Sequence, residues 1–292
     1  MGNNIPASVQ NLTRPEMNSL TLSTSDSLAK LARKGPKVTA ILGFAAKDRI
    51  ILASDSQMTT PDGIKLKMRK IHAVRFQHLD AMALVAIAGT VDSAEEFLEK
   101  FGLLAEDARG RGSMVIPDCA EAAMKQTREG MIAGLNYSTI QKETLDRRVE
   151  DRYCRIILGY YHEKQPFIRH LDFLGAKAIK AQQPFVTVGS GAPMVGAVLS
   201  DFDLASLEKH EAIGVAVHAI QAAKRADLHC SGTCQLGYIE KDWRLFDILS
   251  ESSAKSFEAA SDKINEQMRG ELAKSMAAQT KDVLIDFLNL DE

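Results

Sequence analysis

Two nearly unbroken apolar runs, residues 38–46 and 49–56, stand back to back with only Lys47-Asp48 between them. Runs of this length, rich in β-branched residues and split by two polar ones, read as a tight β-hairpin. A second strand pair reads at 71–76 and 81–88, and after Gly89 the period changes. Val91, Ala94, Leu98, Phe101 and Ala105 fall on one helical stripe. A further helix reads over 118–135. Strands return at 154–161, 167–172 and 185–188, helices at 194–202 and 206–227. A last strand pair, 235–240 and 243–249, turns at Lys241-Asp242. Strands and helices come in runs instead of alternating, which predicts two antiparallel sheets with helices segregated outside them, an α+β layered fold.

The two ends of the chain differ from this middle. The first 37 residues hold three of the eight prolines, no aromatic residue and much Ser, Thr and Asn, so they can bury little. They end in Arg33-Lys34-Gly35-Pro36-Lys37, a breaker cluster that marks a boundary. A short helical piece fits 25–33. Past residue 250, Phe257, Ala260, Ile264, Met268, Leu272, Met276, Val283, Phe287 and Leu290 keep a spacing of mostly three or four. A helix over 254–290 would run roughly 50 Å, long for a globular domain and suggestive of docking on a partner subunit. Two shorter helices broken at Gly270 are the alternative.

Composition excludes several classes. Of 292 residues 45 % are hydrophobic and 25 % charged, ordinary globular usage. A net charge of −2 argues against nucleic-acid or anionic-membrane binding by bulk charge. Four cysteines are too few for a disulfide scaffold and suggest a reducing compartment. With no secretory-type apolar run and no membrane-length apolar stretch, a cytoplasmic location is expected. His229, Cys230 and Cys234 lack a second ligand pair, so no metal is expected.

Four places could carry chemistry. Asp227 continues the apolar stripe Ile213, Ala216, Ile220, Ala223, where a carboxylate is costly unless paired. The plainer alternatives are a helix-terminal Asp turned to solvent or a buried salt bridge. Asp55 ends an apolar strand, as a turn former also would. Lys70 begins the next strand, where a solvated edge charge is the plainer reading. Gly189-Ser190-Gly191 offers a hydroxyl and free amides at a strand-to-helix turn.

Taken together, Thr39-Ala-Ile-Leu-Gly-Phe44, Ile51-Leu-Ala-Ser-Asp-Ser56, Arg69-Lys-Ile-His72, Ala88-Gly-Thr90 and Val188-Gly-Ser-Gly191 resemble, in order, the signatures of proteasome β-type subunits, N-terminal-nucleophile hydrolases. The 16-residue step from Thr39 to Asp55 is the family's, and Lys70 lies one short of the usual interval. The resemblance implies a four-layer αββα sandwich over 39–250, a propeptide or flexible extension over 1–38 and a helical extension over 251–292. It implies Thr39 as nucleophile, freed as a new N-terminus so that its α-amine, with a pKa near ~8, can act as base. Lys70 would lower the pKa of the Thr39 hydroxyl and amine, with Asp55 orienting Lys70. Gly89 would supply the oxyanion-hole amide, and Ser190 and Asp227 would support the amine.

The family's next serine falls at Cys230, so either Ser231 takes that role or Cys230 substitutes. Met58, Met68, Ile87 and Val91 match the pocket wall and imply an apolar side chain before the cut bond; ordinary core positions are the alternative. Val38 stands where processed members carry Gly, and a β-branched residue makes the self-cleaving turn harder. Ala40 and Ile41 replace the common Thr-Thr, and the C-terminal helix exceeds the family norm.

The expected function is a threonine-type endopeptidase subunit of a self-compartmentalising ring. It would act on unfolded polypeptide or peptide substrates without a cofactor, beside other copies or related subunits. No P-loop is present, so ATP-driven unfolding would come from a separate ATPase. Two alternatives stand beside it: a non-catalytic ring subunit with an uncleaved N-terminus, and a small-molecule amidase of the same chemistry.

Overall fold

The apolar runs resolve by parity. In a computed structural model, which describes residues 39–59, 65–109, 115–134, 154–172, 177–180, 184–242 and 245–288, β1 (Ala40–Ala46) and β2 (Arg49–Ser54) form the expected hairpin. Ala40, Leu42 and Phe44 point to one apolar layer while Ile41 points to another; Ile51 and Ala53 divide from Ile50 and Leu52 in the same way. Successive side chains leave opposite faces of a strand, so strands apolar throughout are strands covered on both sides. Gly43 lies where the sheets press closely together: a Cβ there would sit 2.6 Å from Leu52 Cδ2 and 2.9 Å from Ile157 Cγ2 of the facing sheet.

The first sheet has the order β10-β1-β2-β11-β12, with β10 (Phe185–Gly189), β11 (Gln235–Glu240) and β12 (Phe246–Ile248). The second runs β5-β6-β7-β8-β9: Ile71–Phe76, Ala81–Gly89, Cys154–His162, Gln165–Asp172 and Lys177–Lys180. Every pairing is antiparallel. A small two-stranded piece, β3 (Gln57–Thr59) with β4 (Lys65–Lys67), stands apart.

Three apolar layers separate four structural ones. Ile41, Leu52, Leu84 and Ile157 fill the space between the sheets. Helices α1 (Val91–Asp107) and α2 (Val115–Gly134) cover the second sheet through Val85, Phe97, Phe101 and Ala120. Helices α3 (Ala192–Ser200) and α4 (Lys209–Ala226) cover the first through Leu42, Val195, Ala216 and Ile220. This is the expected α+β sandwich. Burying each such Leu, Ile or Phe contributes roughly 1.5–3 kcal/mol, so the layers hold without cross-links.

Helix α5 (Glu251–Leu288) is continuous. Gly270 meets nothing within 4 Å and does not break it, which settles the choice between one helix and two. Its first turns dock on α4, with Ala254 and Ser261 buried and Phe257 packed on the apolar layer. Among the described residues no helix is long and apolar enough to cross a membrane. The expected N-terminal extension, 1–38, and its helical piece lie outside the described residues.

Candidate active site

Antiparallel pairing gathers strand ends. The start of β1 lies beside the end of β2 and the end of β10, with Ile41 opposite Ser54 and Ala40 opposite Gly189. Gln235 at the start of β11 also faces Ser54. The second sheet brings its own strand ends alongside, since the Lys70 amide, just before β5, donates to Gln235 Oε1 at 2.7 Å. Thr39, Asp55 and Lys70 each sit just outside a strand at this one edge. Far apart in sequence, they converge.

All three are buried, at 0 %, 0 % and 2 % exposure. Lys70 Nζ donates to Thr39 Oγ1, to Asp55 Oδ1 at 3.0 Å and to the Gln57 carbonyl. Asp55 accepts four hydrogen bonds. Oδ1 takes Lys70 Nζ and the Ala40 amide at 3.0 Å; Oδ2 takes the amides of Gln57 at 3.2 Å and Ser231 at 3.3 Å. That fills the lone-pair directions a carboxylate offers. Burial pushes the Lys70 amine below its ordinary value, while the Asp55 charge and hydrogen bond pull it back up. A lysine taken out of water and set against a hydroxyl is how proteins make a weak oxygen nucleophile reactive.

Asp227 is not inside its helix. It is the C-terminal cap of α4, with extended backbone and a half-buried side chain, so the helix ends one residue before the stripe's next position, which is the helix-terminal alternative read from the sequence. Burial alone would raise its carboxyl. Hydrogen bonds from the Ser190 hydroxyl, the His229 amide at 2.9 Å and the Cys230 thiol outweigh this and hold it below the usual range. Of Cys230 and Ser231, it is Cys230 whose side chain approaches Asp227. Its Sγ lies 3.5 Å from Asp227 Oδ2, whereas the Ser231 hydroxyl bonds Gln57 Oε1 and only its amide reaches Asp55. Burial, with the Asp55 and Asp227 charges, pushes the Cys230 thiol up to about 12. A Cβ on Gly191 would lie 2.9 Å from Cys230 Sγ and from the Cβ atoms of Ala40 and Ala223, so glycine there closes the site's floor.

Gly89 ends β6 in the left-handed region, φ 110, and Ser190 is exposed. Met68 is half-buried against the layer under α1 and α2, Ile87 lies within that layer at 2 % exposure, and Val91 opens α1 half-buried. Ile87 therefore offers the least surface of these. Met58 is in β3, its side chain outside the described residues. Two glutamines were missed. Gln57 contributes its carbonyl and amide to the Lys70–Asp55 pair. Gln235 accepts from the Lys70 amide at 2.7 Å and donates to the Met68 carbonyl at 2.6 Å. No spacing in the chain signals either one.

Thr39 carries a further mark. Its φ of 91 is a conformation that a β-branched residue adopts only under strain, worth about 1–3 kcal/mol.

The chain is similar to known proteins in sequence and in fold. A proteasome β subunit from Methanosphaerula palustris is 25 % identical over 226 residues, 77 % of this chain and 95 % of its own. A probable proteasome β type-2 subunit from Schizosaccharomyces pombe is 27 % identical over 205 residues, 70 % of this chain and 68 % of its own. Among solved structures, the Anbu complex of Pseudomonas aeruginosa, a helical assembly, superposes with a TM-score of 0.64. It is 15 % identical over 81 % of this chain and 96 % of that one. Anbu from Yersinia bercovieri, an ancestral β-subunit, gives 0.61 at 15 % identity, covering 80 % and 97 %. The family model for proteasome subunits matches residues 37–239, the span that contains the strand-end groups of the site and every strand of both sheets except β12 and the last residue of β11, and the chain belongs to that family.

Proposed function

We propose that the chain is a threonine-type endopeptidase subunit of a proteasome-like assembly, with Thr39 as its nucleophile. The observation that carries this is the Lys70 side chain, buried and aimed at Thr39 Oγ1 while Asp55 holds it from behind. A lysine this deeply buried is costly, and an Asp–Lys pair contributes little net stability to set against that cost. A role in chemistry accounts for the expense.

The steps follow from the placement. Removal of residues 1–38 frees the Thr39 amine and relieves the strain at its φ. Thr39 Oγ then attacks the scissile carbonyl, forming the C–O bond as its proton passes to the amine. The amine returns that proton to the departing peptide nitrogen as the C–N bond breaks, and water hydrolyses the ester. Lys70 favours the developing alkoxide, the Gly89 amide would stabilise the oxyanion, and Asp227 with Ser190 would hold the amine. Met68, Ile87 and Val91, with Met58, suit an apolar side chain before the cut bond. Assembly with like copies is the counterpart of the Pseudomonas aeruginosa helical complex, and a separate ATPase would deliver unfolded chains.

Intact mass and N-terminal sequencing of the assembled protein test the reading. The expected product begins at Thr39. Thr39→Ala should lower hydrolysis of apolar-terminated peptide reporters by about 10³-fold or more, with assembly intact. A full-length chain in fully active assemblies, or a Thr39→Ala protein cleaving at the wild-type rate, would overturn it.

A further inference from the structure

Helix α5 supplies none of the groups above, yet one of its side chains holds both ends of the segment that supplies several. Glu258 Oε1 accepts from Lys224 Nζ at 2.8 Å and from the Cys234 amide at 2.7 Å. Lys224 lies in the last turn of α4, three residues before Asp227; Cys234 immediately precedes β11. One carboxylate oxygen thus ties the exit of one element to the entrance of the next, across residues 227–234.

That span is the site's rear wall. It carries Asp227, the Cys230 thiol on Asp227 and the Ser231 amide on Asp55. Gln235, one residue further on, receives the Lys70 amide. Gly232, at φ 78, lies so near Ser56 that a Cβ would sit 2.4 Å from Ser56 Oγ. A wall packed this closely passes a shift at Cys234 to Ser231 and so to Asp55. Other α5 contacts align the same face: Thr233 with Glu251 at 3.3 Å, Arg225 with Asp262 at 3.5 Å and His218 with Ser261 at 3.3 Å. Glu258 differs from these because its pair is shielded, with side chains 16 % and 13 % exposed, and because it reaches main chain next to the site. Charge-assisted bonds to a carboxylate in such surroundings are stronger than their surface counterparts.

We infer that Glu258 is a positioning residue for the threonine site, acting through the Cys234 amide on the placement of Ser231 and Asp55. This makes the start of the C-terminal helix part of the catalytic scaffold, and it rests on the peptidase reading above.

The test uses the assembled full protein with two readouts, amide hydrogen exchange over 227–235 and kcat and KM on a peptide reporter. In Glu258→Ala, exchange in that segment should rise and kcat should fall by about 10- to 100-fold with KM little changed, since displacements near 1 Å at a catalytic centre cost that much. Glu258→Gln still offers an oxygen to the Cys234 amide and should recover most of both. If Glu258→Ala does not assemble, Glu258→Asp carries the test: it keeps the charge, but one methylene less withdraws the oxygen from Cys234, and both readouts should move. Exchange that rises while kcat stays put would reduce Glu258 to a brace and overturn the inference, as would a Gln variant no better than Ala. Absence of Thr39-dependent hydrolysis in the wild type would retire the functional reading and this one with it. Wild-type activity with unmoved variants would retire this one alone.

Discussion

Two charged residues bracket strand β2, and both are buried. Asp55, one residue past its end, has no exposed surface; Arg49, its first residue, is 8 % exposed. Their surroundings differ sharply. Asp55 receives Lys70 Nζ and three backbone amides. Arg49 stands opposite Ala46 and Glu240 in the sheet, and among the described residues its Nε and Nη1 are buried without a hydrogen-bond partner. Burying a charge costs several kcal/mol, and partners recover the cost only when geometry and hydrogen bonding are complete. The same strand therefore carries a fully satisfied charge at one end and a poorly satisfied one at the other. A satisfied network fixes atoms in place, and fixed atoms are what a nucleophile needs. The contrast sets the Asp55 end apart without reference to any relative, and it is the end at which the proposed peptidase chemistry would take place.

The largest predicted effect removes the satisfied partner. Asp55→Ala leaves Lys70 buried and unpaired, which should cost about 3–5 kcal/mol of stability. Reporter hydrolysis should fall by about 10²-fold or more. Denaturant midpoints and reporter kinetics check the two together. A variant that keeps wild-type stability would mean that Lys70 draws its stabilisation from elsewhere, and the contrast between the two ends would lose its basis.

Proton linkage gives a smaller effect of definite sign. Burial lowers the Lys70 amine from 10.5, with Asp55 opposing. From the folded value up to 10.5, the unfolded chain keeps a proton that the folded chain has shed. Stability rises with pH wherever the unfolded state binds more protons, so Lys70 should make the folded state relatively more stable as pH climbs through that window. Lys70→Met removes this titration. Denaturant midpoints followed across the alkaline range should show the wild type gaining on the variant, and a wild type that instead loses ground would reverse the assignment of burial as the dominant influence on Lys70.

The sequence made the layers legible because parity and period are local. The run 49–56 states its hairpin, its strand and its apolar faces within eight residues, and 235–240 is a strand over the stretch expected. Asp55 and Lys70 each sit at a strand boundary, where taken alone they read as a turn former and an edge charge; only the order and spacing of the family's motifs singled them out. What escaped depends on contacts across the fold. Gln57 and Gln235 look like any polar residue near a strand start, and their value comes from facing Lys70 through the tertiary structure. The β3–β4 pair was missed because Gln57–Thr59 and Lys65–Lys67 are short and mostly polar, and β4 is exposed throughout, with no apolar period to read. For Asp227 the helix-terminal alternative holds: 3.6-residue spacing continues on paper where the chain has already left the helix. That Cys230 approaches Asp227 while the Ser231 hydroxyl turns to Gln57 shows only in three dimensions.

The smallest predicted effect is at the other end of β2, and it bears most directly on the contrast. Methionine has nearly the reach of arginine without its donors, so Arg49→Met keeps the aliphatic contact and deletes the unpartnered groups. An unsatisfied buried polar group costs about 1–3 kcal/mol, while the lost attraction to nearby Asp48 and Glu240 offsets part of the gain. The net should lie between no change and about 1 kcal/mol of stabilisation, or a rise in Tm of up to about 2–4 °C. Reporter hydrolysis should be unaffected, since Arg49 is at the opposite end of the strand from Asp55. A Tm lowered by more than about 4 °C would show that the guanidinium is satisfied in the assembled protein by groups beyond the described residues of one copy. Measuring the variant both as the isolated chain and as the assembly separates these cases: a loss confined to the assembly places Arg49 at a contact between copies. Both ends of β2 would then be occupied charges, one serving chemistry and the other association.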